Sequence, residues 1–179
     1  MISILYDVNR YRKFLNERVN DGNTVIELGP HLGESTKLYV EKTKLTVAVD
    51  KSSQSEKAFD KILPEFKNLR LVKGDARNFE TIKKVMNLTQ RCDVLAVDMG
   101  GGRFSDTVFK VWATWAGIFR PKHSVLRNRG LAEFIQRAEI HDESVIKEFP
   151  DDGWLAEWGR KTPYALEKQL KEFEFWVDL

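Results

Sequence analysis

At 179 residues the chain is long enough for one domain with a substantial core and short for two. With 42% hydrophobic and 31% charged residues and no apolar run long enough to span a bilayer, its composition is that of an ordinary soluble globular protein and argues against a membrane partner. The net charge of +2 is too small to argue for nucleic acid, but it is unevenly spread. Residues 103–137 carry seven Lys/Arg against two Asp/Glu, and residues 139–179 carry five against eleven, which reads first as solvated helix faces of opposite sign.

The opening Met-Ile-Ser-Ile-Leu-Tyr-Asp lacks the basic flank and long apolar core of a signal peptide, so the chain is expected to be cytoplasmic. Its single cysteine, Cys92, excludes an internal disulfide and gives no zinc cluster; no metal site is expected. A lone thiol also disfavours chemistries in which a cysteine attacks a pyrimidine ring.

From Asp7 to Val19 apolar residues recur at Val8, Tyr11, Phe14, Leu15 and Val19, which predicts a helix ending at Gly22. Its Arg10, Arg12, Lys13 and Arg18 read as a solvated outer face. The stretch that organises everything after it is Thr-Val-Ile-Glu-Leu-Gly-Pro-His-Leu-Gly-Glu-Ser, residues 24–35. Val25, Ile26 and Leu28 make a buried strand, Gly29-Pro30 breaks it, and a helix is predicted from Glu34 to Lys42. Strand, glycine turn and helix together aim backbone N–H groups and a positive helix end at a ligand. The dinucleotide pattern Gly-x-Gly-x-x-Gly fails here, because His31 and Glu34 stand where its later glycines belong. A carboxylate two residues ahead of Gly29, Glu27, suits a ligand bearing an ammonium group better than a diphosphate.

Leu45-Thr-Val-Ala-Val-Asp50 is a second strand, and Asp50 lies 21 residues beyond Gly29, close to the roughly 20 expected between a glycine turn and an acid that accepts ribose hydroxyls. Lys51 is a candidate partner for it. Ser53 is expected to cap a helix running to Leu63. Leu69 to Ala76 is a third strand closing on Gly-Asp-Ala. An amphipathic helix, Phe79 to Leu88, leads to a fourth strand, Cys92 to Asp98, and the loop Met99-Gly100-Gly101-Gly102. A helix to Phe119 begins at Ser105 or Asp106 and carries Trp112 and Trp115 on a packed face. A fifth strand covers about His123 to Asn128, with His123 at the wrong end of the sheet for chemistry. A helix is predicted from Leu131 to Ile140, a turn and short helix around 149–159, a helix from Pro163 to about Lys171, and a last strand over Phe173–Leu179. Trp154 and Trp158 would share a helix face, packing or covering the pocket.

Glu27, Gly29 and Gly33, with Asp50, Asp75-Ala76 and Asp98 following at successive strand ends, resemble the motifs of the class I S-adenosylmethionine (SAM) dependent methyltransferases over roughly residues 8–138. His31 replaces the middle glycine of the first motif. The resemblance implies a doubly wound α/β fold with a mainly parallel sheet in the order 3-2-1-4-5, in a single domain with a variable, reduced segment over 139–179. It implies SAM as cofactor, with Glu27 and Gly29 at its methionine part, Asp50 at the ribose, Asp75 and Ala76 at the adenine, and Gly33 as a further cofactor-binding position of the first motif. Asp98 would face the acceptor as catalytic residue. Arg127, Asn128 and Arg129 fall at the ligand end of the fifth strand, where they would either hold a phosphate or carboxylate of the substrate or pair with the acidic tail. The amino-directed Asp/Asn-Pro-Pro-aromatic loop is absent. The lysine–aspartate–lysine–glutamate tetrad of RNA 2′-O enzymes is matched by Asp98 alone, with Arg127 or Asn128 near its second lysine. The acceptor, RNA or a small molecule, stays open, as do a homo-oligomer or partner subunit, a SAM-binding subunit without turnover, and an NAD(P)-dependent oxidoreductase.

Overall fold

The computed structural model describes residues 1–142 and 151–155. Among the described residues six parallel strands form one sheet: β1 (Ile2–Leu5), β2 (Thr24–Leu28), β3 (Leu45–Asp50), β4 (Leu69–Lys73), β5 (Val94–Val97) and β6 (His123–Arg127). Their spatial order is β1-β6-β5-β2-β3-β4. Counted from β2, this contains the expected 3-2-1-4-5, and β1 is an addition that pairs with β6, Ile2 opposite Ser124 and Leu5 opposite Arg127. The helices are α1 (Val8–Arg18), α2 (Thr36–Tyr39), α3 (Ser53–Ile62), α4 (Phe79–Met86), α5 (Ser105–Phe119) and α6 (Arg129–Arg137). Among the described residues no helix is long and apolar enough to cross a membrane.

The β-branched strands are buried on both sides, so their alternating residues feed two cores. Ile26, Leu28, Val47, Val49, Leu95 and Val97 pack with Ile82 and Val85 of α4 and with Trp112, Trp115 and Phe119 of α5. Val25, Val94, Ala96 and Val125 point the other way, onto Tyr11 and Leu15 of α1 and onto Tyr39. A third cluster joins Phe59 and Ile62 of α3 to Ala48 and Leu69. Trp112 and Trp115 are core, as their spacing predicts, and the Trp115 indole N–H donates to the Ala76 carbonyl at 2.8 Å.

Several boundaries differ from expectation. The helix after the glycine turn is only Thr36–Tyr39, tightening into a 3₁₀ turn over Val40–Lys42. The cap of α3 is Ser52, whose hydroxyl accepts from Ser55 N at 3.1 Å. The helix expected over Leu131 to Ile140 starts two residues early, at Arg129, because Asn128 caps it, and ends at Arg137. Trp154 covers no pocket: it packs against the larger core beneath the Arg120 guanidinium, while Gly153 abuts the start of β6 at the amino edge of the sheet. Trp158 and the elements expected beyond it lie outside the described residues.

After β2 the chain winds outward through β3 and β4, then returns to the other side of β2 to place β5 and β6. The carboxyl ends of β2 and β5 therefore flank the point where strand order reverses, which is where open α/β sheets hold ligands.

Candidate active site

A cavity of about 700 Å³ opens at that point, a size usual for small-molecule sites. Its floor is built from successive strand ends: Gly29 to Leu32 after β2, Asp50 to Ser52 after β3, Gly74 to Arg77 after β4, and Asp98 to Gly101 after β5. Arg127 closes it from β6, and Val8 and Arg12 overhang it from α1.

The glycine turn is shaped by close approach. Gly29 has φ +79°, and a Cβ there would lie 2.4 Å from the Asp98 carbonyl oxygen, so no other residue fits without moving β5. His31 adopts φ 52°, the left-handed conformation that a glycine at this motif position takes without strain. It is steadied by its own N–H, which donates to Asp50 Oδ2 at 3.1 Å, and by a 3.3 Å contact between its Nε2 and Gln54 Oε1. Gly33 works away from the cavity: it has φ +77°, and a Cβ would strike Ile62 Cδ1 at 2.6 Å, so it lets the turn settle on α3.

Glu27 does not reach the cavity wall. It shares the face of β2 that carries Val25, is 1% exposed, and lies beneath the turn. Its Oε2 accepts from the Thr36 hydroxyl at 2.5 Å and from the Tyr39 hydroxyl at 2.6 Å, tying β2 to α2. Burial raises its pKa; the two hydroxyls oppose that, nearby Asp98 adds to it and Arg12 opposes it, leaving a value of about 7.

At the far end of the cavity Asp75 is heavily engaged. Oδ1 accepts from the backbone N and Nε of Arg77, each at 3.0 Å, while Oδ2 accepts from Arg77 Nη2 at 2.7 Å and Lys51 Nζ at 3.1 Å. Burial would push its pKa up, but these bonds hold it well below the usual carboxylate range. Lys51 thus pairs with Asp75, whereas Asp50 is held by backbone N–H groups, those of His31 and of Ser52 at 2.8 Å.

Asp98 and Arg127 form an ion pair at 2.8 Å, each side chain 17% exposed. Burial raises the Asp98 pKa; Arg127, Arg12 and His31 oppose it, and the balance stays above the ordinary value. Asn128, expected beside the substrate, is fully buried and off the cavity wall. Its Oδ1 accepts from Leu131 N at 2.9 Å and so caps α6, while its Nδ2 donates to the Arg103 carbonyl at 2.9 Å and ties that cap to the loop before α5.

The cavity therefore brings together Gly29, Asp50, Asp75, Ala76, Asp98 and Arg127, and leaves Glu27, Gly33 and Asn128 outside it. It adds Arg12, Arg77 and Phe104. Arg12 corrects the reading of α1 as simply solvated: its Nε is buried without a hydrogen-bond partner, as is the hydroxyl of neighbouring Tyr11. Helical periodicity marks the Tyr11 side of α1 as inward but carries no signal for where α1 crosses the sheet edge.

No family model matches the chain, and no curated protein matches it. Solved structures do. An rRNA methylase from Streptococcus thermophilus aligns at 13% identity and a TM-score of 0.53, over 74% of this chain and 80% of its own. A dimethyladenosine transferase from Plasmodium falciparum aligns at 17% identity and 0.53, over 78% of this chain and 48% of its own. Trm5b from Pyrococcus abyssi aligns at 15% and 0.45, over 57% of this chain, which spans only 28% of that protein. The fold is the Rossmann-like fold of the class I SAM-dependent methyltransferases.

Proposed function

We propose that the cavity binds SAM and that the protein transfers its methyl group to an acceptor presented beside Asp98. The observation that carries this reading is the combination of a turn with no room for a Cβ at Gly29, the carboxylates of Asp50, Asp75 and Asp98 on one cavity floor, and the partnerless buried Nε of Arg12. These donors and acceptors fit a zwitterionic amino acid joined to a nucleoside. The Arg12 guanidinium meets the methionine carboxylate, Gly29 lets the backbone approach, and Asp50 accepts the ribose hydroxyls. Asp75 has its four acceptor positions filled by Arg77 and Lys51, so it receives the adenine amino group only when exposed Lys51 swings away. Glu27 and Gly33 act on the site indirectly, by holding the turn in place.

Bound SAM supplies an electrophilic methyl carbon: the acceptor lone pair forms the new bond to it as the carbon–sulfur bond breaks and that electron pair returns to sulfur. The protein's part is alignment. Asp98, pinned by Arg127 and partly desolvated, orients the acceptor and is placed to receive its proton. Arg127 stays charged and cannot replace a basic lysine, which weighs against the 2′-O tetrad.

Isothermal calorimetry with SAM, S-adenosylhomocysteine and NADH tests the assignment. Saturable binding of both adenosyl ligands without NADH supports it. NADH binding alone would return the oxidoreductase reading, and SAM binding with no methyl transfer to any acceptor would return the non-catalytic subunit.

A further inference from the structure

Resting on the methyltransferase reading, we propose that the acceptor is a nucleobase of a single-stranded nucleic acid, turned out of its strand and stacked on Phe104. Phe104 lines the cavity, yet it is 65% exposed, an unusual placement for a phenylalanine with a packed helix immediately after it. Its backbone is left-handed, φ 57°, a conformation unfavourable for an aromatic residue and one that sets the ring at the mouth. One side of the ring rests on Gly100, where a Cβ would come within 2.7 Å of Phe104 Cδ2. The loop from Met99 to Gly102 thus joins Asp98 directly to the surface supporting an open aromatic face. A flat acceptor lying on that face enters the cavity from the Asp98 side.

The surroundings choose a strand over a free small aromatic. Tyr6, 48% exposed, lies across the same loop against Gly102, with the Arg129 guanidinium 5.5 Å from its ring centre. Arg129 and exposed Arg103 stand outside the cavity lining, and among the described residues neither meets a carboxylate. Cations beyond the rim are of no use to an acceptor lodged wholly inside. They suit the phosphates flanking an extruded base, while stacking supplies sequence-tolerant affinity.

The test is fluorescence anisotropy of labelled RNA and DNA strands of ~12 nucleotides, with calorimetry of S-adenosylhomocysteine on the same proteins. Wild type is expected to bind a strand in a salt-dependent manner. Phe104→Gly, which suits the left-handed backbone, should weaken strand binding by about tenfold to a hundredfold, with Phe104→Tyr restoring it. Arg103→Glu and Arg129→Glu should weaken binding and flatten its salt dependence. Arg103→Glu and Arg129→Glu, both outside the cavity lining, should keep wild-type affinity for S-adenosylhomocysteine. Comparing RNA with DNA shows whether the sugar is also read. Wild type that takes S-adenosylhomocysteine but neither strand, or Phe104→Gly that binds strands like wild type, overturns the proposal and leaves the cofactor assignment standing. Failure to bind S-adenosylhomocysteine strikes the methyltransferase reading instead.

Discussion

Gly29 and Asp98 meet backbone to backbone across neighbouring strands, and a Cβ on Gly29 would sit 2.4 Å from the Asp98 carbonyl oxygen. This contact fixes the glycine turn after β2 and the end of β5, which carries the Asp98 carboxylate, in one rigid unit. Gly29→Ala must either push β5 away or distort the turn at φ +79°. It should destabilise the fold by about 1–3 kcal/mol in urea unfolding and abolish SAM binding by calorimetry.

His31 is the opposite case, a side chain where glycine would rest. His31→Gly loses the Gln54 contact and gains chain entropy on unfolding, but it relieves the left-handed backbone. These effects nearly cancel, so stability should stay within about 1 kcal/mol of wild type. His31→Val, β-branched at φ 52°, should lose about 1–3 kcal/mol. Equal urea midpoints for the two variants would contradict this account of the turn.

Arg12→Ala should lower SAM affinity about tenfold to a hundredfold, the scale of a charge-assisted hydrogen bond. Among the described residues its Nε makes no hydrogen bond, so stability should fall by less than SAM affinity does, through the lost attraction to Glu27 and Asp98 alone. Asp50→Ala should weaken SAM by an energy on the order of 1–3 kcal/mol. Unchanged affinity in both variants would remove the methionine and ribose ends of the proposed site.

Glu27 should make stability pH-dependent in a direction unusual for a carboxylate. Its folded pKa is raised from 4.5 to about 7, so the folded state holds a proton that the unfolded state releases. The favourable contribution is full below about pH 4.5 and is lost as pH rises through 7. Unfolding free energy should fall between pH 5 and 8 by on the order of 1–3 kcal/mol, and Glu27→Gln should flatten that slope. Asp75 works in the reverse sense, its contribution present at neutral pH and lost only in strong acid.

Asn128→Ala should cost about 1 kcal/mol of stability through the cap of α6 and leave SAM affinity alone. A selective loss of ligand affinity would restore the substrate role that its sequence position suggests.

Strand ends are the part of this molecule most legible in sequence, because glycines and carboxylates punctuate apolar runs there. Hence Gly29, Asp50, Asp75 and Asp98 could all be placed on one edge. Which way a side chain points at such an edge depends on strand parity: Glu27 shares its parity with Val25 and so turns under the floor, a signal that was present in the spacing. The edge strand Ile2–Leu5 is only half-buried and four residues long, and nothing local separates it from a loop until β6 pairs with it. Arg12 and Phe104 were hidden for a different reason. Their roles depend on where α1 crosses the sheet edge and on a left-handed bend before α5, and tertiary packing sets both.

A crystal structure with S-adenosylhomocysteine at saturating concentration tests the central claim most directly. The account predicts the amino-acid carboxylate on the Arg12 guanidinium, the ribose hydroxyls on Asp50, and Lys51 moved off Asp75. An adenosyl group bound elsewhere, or one running through the cavity in the reverse direction, would contradict it.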